Sequence, residues 1–155
     1  MIKADVLITN KNWKKHIKYP SVYINKKLKK IDKKLNVFKK NNFKFTVLLS
    51  GDKEVKKLNN KFKKKNKTTD ILSFPFHERK TLNMLLKEKK NQIYLGDIII
   101  NLNKMILKSE DKDFLLNFDV IWIHGLTHLF GYRHKSNIDF SEMKKIENKL
   151  IKYSK

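Results

Sequence analysis

A chain of 155 residues with 40% apolar composition and no cysteine is one domain with a real core, which excludes a disordered basic tail, disulfides and thiolate metal sites. Its 37 Lys and Arg against 15 Asp and Glu give a formal charge of +22, suited to a polyanion, with nucleic acid the first candidate and anionic membrane the second. Only two of those basic residues are arginine, Arg79 and Arg133, and the wealth of Lys, Asn and Ile, all with A/T-rich codons, accounts for part of the excess.

In chain order, Met1–Asp5 lacks the apolar core of a signal peptide, and no apolar run anywhere approaches the ~18 residues of a membrane span. The expectation is a single cytoplasmic domain over 1–155. Val6-Leu7-Ile8 reads as a short strand. Pro20 opens a helix with Ile24, Leu28, Ile31 and Leu35 at three- and four-residue steps. Phe43, Phe45, Val47 and Leu49 alternate with Lys44, Thr46 and Leu48 in a strand pattern. Ser50-Gly51-Asp52 then turns the chain into a helix with Val55, Leu58 and Phe62 on one face. A basic loop over 63–67 leads to a second β segment, Ile71-Leu72-Ser73-Phe74, stopped by Pro75.

The polar stretch from about His77 to Gln92 reads as a variable excursion. Leu95 to Ile100 is a buried strand by its β-branched content. Helical patterns follow near Leu102–Lys108, Phe114–Phe130 and Phe140–Tyr153, the last announced by Asp139 with Glu142 three positions on, a capping-box arrangement. Strict βαβ alternation is missing. This predicts an α+β fold, a small mixed β-sheet of about four strands packed with about five or six helices.

Three of the five histidines fall in His124-Gly-Leu-Thr-His128-Leu-Phe-Gly131-Tyr-Arg-His134. Four residues apart on a helix, His124 and His128 share one face, and two such imidazoles can share one metal ion. Gly131 stands where the helix should end and turns His134 back toward the same point. Three ligands with an open fourth position make a catalytic rather than a structural site. Nitrogen donors suit Zn²⁺ best, with Ni²⁺, Cu²⁺ and Fe²⁺ left open by residue type. Metzincin proteases share this spacing, but Gly125 occupies the place of their general-base glutamate, so peptide hydrolysis loses its proton acceptor. Leu115, Phe118, Trp122, Leu126 and Leu129 recur at helical spacing as the core under the metal. Trp122 and Phe130 are therefore core rather than RNA platforms, and Tyr132 packs beneath the turn. His16 reads as a surface residue and His77 as a loop residue.

The histidine segment resembles H-G-x-L-H-L-x-G-Y-D-H, the signature of the YbeY family, bacterial zinc-dependent endoribonucleases that act as ribosomal RNA maturation factors. Thr69-Asp70-Ile71-Leu72-Ser73-Phe74-Pro75 is similar to that family's T-[DN]-V-L-S-F-P, and Leu95-Gly96-Asp97-Ile98 to its L-G-D-I. Leu58-Asn59 and the Met143…Glu147 tail also fit, so the resemblance runs from about Phe43 to Lys149. It departs at Lys63, where the family has a phosphate-engaging arginine, and at Arg133, where it has aspartate. Lys64-Lys65-Asn66 stands for the family's Gly-Lys-Asp and reads as a more basic, less tightly turned loop.

The resemblance implies a zincin-like site on a central helix, with one Zn²⁺ per chain held by His124, His128 and His134. It implies a single-strand-specific endoribonuclease that matures the 3′ end of 16S ribosomal RNA and serves ribosome quality control. Its partners would be ribosomal RNA and the small ribosomal subunit, with ribosomal proteins or assembly GTPases, and no membrane. Catalytic roles fall on His124 and Lys63, and substrate contacts on Lys63 and Lys65 of the basic loop. Whether water or the RNA's own 2′-OH attacks stays open. Asp97 reads equally as a partner of a ligand imidazole or as a strand-end hydrogen bond, and Ser73 as structural. The alternative of another class is a ribosome-assembly RNA-binding factor with a structural zinc and little nuclease activity.

Overall fold

Period-two burial along the second strand builds the sheet: Phe43, Phe45, Val47 and Leu49 all turn inward, while Lys44, Thr46 and Leu48 turn to the other face. The computed structural model describes residues 1–88, 92–109 and 113–155, with Lys39 described by its backbone alone. Among these the strands are β1 (Ile2–Ile8), β2 (Phe43–Ser50), β3 (Ile71–Pro75) and β4 (Ile93–Asn101). The α-helices are α1 (Pro20–Lys34), α2 (Asn36–Lys40), α3 (Asp52–Lys63), α4 (Arg79–Lys87), α5 (Leu102–Lys108), α6 (Phe114–Leu129) and α7 (Asn137–Ser154), with one 3₁₀ turn at Lys11–Lys15. None of these helices is long and apolar enough to cross a membrane.

The sheet order is β1-β2-β4-β3, with β1, β2 and β4 parallel and β3 antiparallel on the edge. The predicted α+β class and mixed four-stranded sheet are therefore present, with more helices than expected. α2 and α4 are the additions. α2 is too short to show a period, and α4 forms inside the stretch read as an excursion, where Leu82 is buried and Leu85 and Leu86 pack on the core. The end of that stretch, 89–91, lies outside the described residues.

One sheet face carries the main core. α1 packs on β1, and α6 packs on β3 and β4, with α7 against both helices. Trp13, Trp122, Phe45 and Phe118 are wholly buried there. Burying a side chain of that size contributes about 1.5–3 kcal/mol each. A polar network pins α1 to α6: buried Asp119 accepts from Trp122 Nε1 at 3.1 Å and Tyr23 OH at 3.2 Å, and pairs with Lys27 at 2.6 Å. The other face carries a smaller cluster of Val55, Leu72 and Ile99 beneath α3. Phe62 ends that helix 57% exposed, edge-on to Phe74.

Gly125 sets how closely α6 approaches the sheet. A Cβ there would lie 2.8 Å from Ile71 Cδ1 and 2.9 Å from Ile98 Cγ2. A glutamate at this position would require both isoleucines to shift, so helix–sheet packing works against the residue that the metzincin pattern needs. Two expectations are corrected along these helices. Leu115 is 37% exposed rather than core, because it sits in the first turn of α6, before the helix passes under the sheet. The cap of α7 is Ser136, whose Oγ accepts from Asp139 N at 3.2 Å, and not Asp139. α7 therefore starts three residues earlier than its apolar period suggests, and Glu142 pairs instead with Arg79 at 3.3 Å.

Candidate metal centre

α6 carries His124 and His128 one turn apart near its C-terminus, where both are half-buried under the edge strand β3. Past Phe130 the chain reverses at Gly131, whose φ of +85° is left-handed, and Gly131 N donates to His128 O at 2.9 Å. The position also lacks space, since an added Cβ would lie 2.7 Å from Arg79 Cβ and 3.0 Å from Arg79 Cα. Glycine is needed here on both counts. The reversal brings exposed His134 to the other two, and one ligand atom from each of the three histidines falls within 4.8 Å of the others.

Hydrogen bonds fix how the rings point. His124 Nδ1 faces Glu147 Oε1 at 2.5 Å, and His128 Nδ1 faces the Tyr132 carbonyl oxygen at 2.9 Å. A carboxylate and a carbonyl accept only, so in the neutral rings both Nδ1 atoms carry the proton and both Nε2 atoms carry a lone pair. Those two Nε2 atoms lie 3.1 Å apart. Two lone pairs facing each other repel unless a cation lies between them. Donors about 2.0–2.1 Å from one ion in tetrahedral geometry stand ~3.3–3.4 Å apart, so the donor set fits a metal ion.

Charges around the rings agree with that use. Burial holds the His128 imidazole neutral, lowering its pKa to about 4, and the other two histidines and Lys63 add to the effect. Burial alone would raise the Glu147 carboxyl. The hydrogen bond and charge of His124, with Lys144 at 3.5 Å, outweigh burial and hold it below its ordinary value as a carboxylate. Glu147 is the residue that sequence reading left without a role. Its signal was a lone acid between buried Met143 and Leu150 on the inward face of a helix.

The histidines open on a cleft of about 470 Å³, lined also by Lys63, Asp70, Ser73 and Arg133. Partial desolvation lowers the pKa of the Lys63 ammonium, with help from the Lys65 charge, although the side chain is exposed, and its Nζ lies 5.6 Å from the centre of the Phe74 ring. Lys65 is not among the lining residues. Lys64, between them, adopts the left-handed conformation at φ 55° and ψ 29°, with Lys64 N donating to Asn60 O and Lys65 N to Asn59 O. The loop expected to be less tightly turned is therefore a tight helix end, with a lysine where glycine would fit without strain.

A second hollow of about 350 Å³ shares His124, Asp70 and Ile71 with the first, and its two lysines are both paired, Lys108 with Asp70 and Lys144 with Glu147. Asp97 lies outside the histidine cluster and accepts from Tyr94 OH at 2.6 Å. His16 stacks on Phe114 at the surface, and His77 meets Phe76 edge-on in a loop. Tyr132 lies under the Arg79 guanidinium, 4.5 Å from ring centre to Cζ. Trp122 is buried and Phe130 packs against the core.

Comparison with known proteins agrees in sequence and fold. The family profile described as Endoribonuclease YbeY matches residues 7–155, well beyond the segment that carries the motifs. An Endoribonuclease YbeY of Pelagibacter ubique is 39% identical over 160 residues, covering 100% of this chain and 97% of the relative. One of Synechocystis is 29% identical over 113 residues, covering 72% of this chain and 63% of the relative. The solution structure of TM1509 from Thermotoga maritima shares the fold with a TM-score of 0.55 at 23% identity, covering 97% of this chain and 89% of that one. With its three histidines gathered by the α6 helix and the Gly131 turn, and a profile match along nearly its whole length, the chain belongs to the YbeY family.

Proposed function

We propose that this protein is a zinc-dependent, single-strand-specific endoribonuclease that matures ribosomal RNA at the 3′ end of the 16S molecule and acts in ribosome quality control. The observation that carries the reading is the pair of Nε2 lone pairs 3.1 Å apart, each fixed by an acceptor on the opposite ring nitrogen. Family membership supports RNA as the substrate, since the relatives bear the name endoribonuclease. The small ribosomal subunit, ribosomal proteins and assembly GTPases are its proposed partners in the cytoplasm.

His124, His128 and His134 would hold one Zn²⁺, which supplies Lewis acidity toward water or a phosphoryl oxygen when bound. The chain's own residues do the rest. Glu147 orients His124 and raises its basicity as a ligand, and the Tyr132 carbonyl does the same for His128. Lys63, partly desolvated on the cleft wall, binds a phosphate and offsets charge that develops as the phosphorus–oxygen bond breaks. Lys65 adds long-range attraction for the polyanion from the loop behind it. His124 serves catalysis as the ligand through which Glu147 acts.

Elemental analysis and ribosomal RNA cleavage, measured on the same preparations of wild type and the His124→Ala/His128→Ala double variant, test the reading. Near-stoichiometric zinc lost together with cleavage is the expected result. Zinc lost with no cleavage by either protein would replace the nuclease with the assembly-factor reading. Wild type free of metal after preparation in zinc would overturn the metal site.

A further inference from the structure

Arginine is rare enough in this chain for its placement to carry information. Of 37 basic residues only Arg79 and Arg133 are arginine, and both flank the turn that delivers His134. Arg79 has work within the protein. It covers Tyr132, pairs with Glu142 and packs its stem on Gly131. Arg133 makes no hydrogen bond or ion pair among the described residues, yet it forms part of the cleft wall beside His134. The cleft itself is asymmetric. Lys63, Arg133 and Lys135 line it without an acidic partner, whereas Lys108 and Lys144 of the adjoining hollow are neutralised by Asp70 and Glu147.

A guanidinium is more weakly hydrated than an ammonium and presents a planar fork that matches two phosphate oxygens, whereas lysine is a point charge. In a lysine-rich chain, an unpaired fork at the wall of a metal cleft has a use that the surrounding lysines do not serve. We infer that Arg133 is a substrate-binding residue that takes one phosphate of a single-stranded nucleic acid in bidentate fashion, so that the phosphate chain enters the centre over the Lys63–Arg133–Lys135 side. This assignment rests on the proposed reading of the cleft as an RNA site. It adds to that reading the contact that gives geometry, where Lys63 and Lys65 give charge.

The test compares zinc-loaded wild type, Arg133→Ala, Arg133→Lys and Lys29→Ala for binding a single-stranded oligoribonucleotide across a salt series, with zinc content measured on each. Lys29→Ala removes the same charge from exposed α1, away from the cleft. Arg133→Ala is expected to weaken binding about fivefold to tenfold at low salt and to lower the salt slope by about 0.7, the share of one phosphate contact on a single strand. Arg133→Lys restores the slope and only part of the affinity, because the charge returns without the fork. Zinc content stays equal in all four proteins. An Arg133→Ala protein that binds like Lys29→Ala overturns the inference, and so does a loss of zinc that matches the loss of affinity, since Arg133 would then act through His134. Wild type that holds zinc and binds the oligoribonucleotide but never cleaves RNA sinks the nuclease reading alone, and the Arg133 comparison still decides who holds the phosphate.

Discussion

Two helix ends build the cleft, and they solve the same backbone problem differently. α6 reverses at Gly131, with φ of +85°, and the turn delivers His134, whereas α3 ends on Lys63 and only then reverses at Lys64, with φ of 55°. At Gly131 both the conformation and the space demand glycine, because Arg79 occupies the volume that a Cβ would take. At Lys64 only the conformation is unusual, and the side chain stands in solvent. Ligand geometry has small tolerance, and the α6 turn is over-determined to match. Electrostatic contact with a flexible polyanion tolerates more, and a turn under mild strain is enough.

Four measurements test this contrast. Gly131→Ala carries the largest expected effect, because left-handed strain of about 1–2 kcal/mol adds to a steric conflict with Arg79. Chemical denaturation should show a loss of about 2–4 kcal/mol, with zinc affinity falling alongside. A loss below 0.5 kcal/mol would mean that the turn is as forgiving as the α3 end. Glu147→Gln comes next. It keeps the volume and removes the charge behind His124, so competition with a chelator should show zinc bound about 10–100-fold more weakly. Unchanged affinity would remove Glu147 from the site.

The pH dependence of the metal-free protein probes the same ring cluster. Burial lowers the His128 pKa from its ordinary 6.5 to about 4, so between those values the unfolded chain binds more protons than the folded one. Stability is therefore complete above about pH 6.5 and falls as the pH drops through that window toward about 4. A His128→Gln variant should lose most of that slope in thermal melts, and an identical slope would assign it to other groups. The smallest expected effect is a gain. Lys64→Gly relieves left-handed strain at the α3 end and should stabilise the protein by about 0.5–1 kcal/mol. Destabilisation would show that the lysine side chain holds the loop in place.

Most long elements were legible in the residues themselves. β2, α1 and α5 follow their hydrophobic periods, because each buries one face and so repeats at 2 or 3.6 residues, whereas α6 is buried almost all round. α2 and the 3₁₀ turn were not legible, since five residues cannot display a period. α4 was hidden by its polarity, and its few leucines matter only because the core lies beside them. The cap of α7 fell to Ser136 rather than Asp139 because the helix begins a turn before its apolar period, and Glu142 pairs with Arg79, distant in sequence.

The histidine cluster was legible in the sequence alone: His124, His128, Gly131 and His134 are related through one helix and one turn, and local spacing is sufficient to converge the three side chains that could hold a metal ion. What sequence spacing could not supply was everything reached across elements. Glu147 stands behind His124 only because α7 packs on α6, Gly125 excludes a side chain only because α6 lies against Ile71 and Ile98, and Arg133 and Lys63 line one cleft only because the ends of α3 and α6 come together. Local geometry is written in the order of residues, whereas the partners that tune it are chosen by packing between segments far apart in the chain.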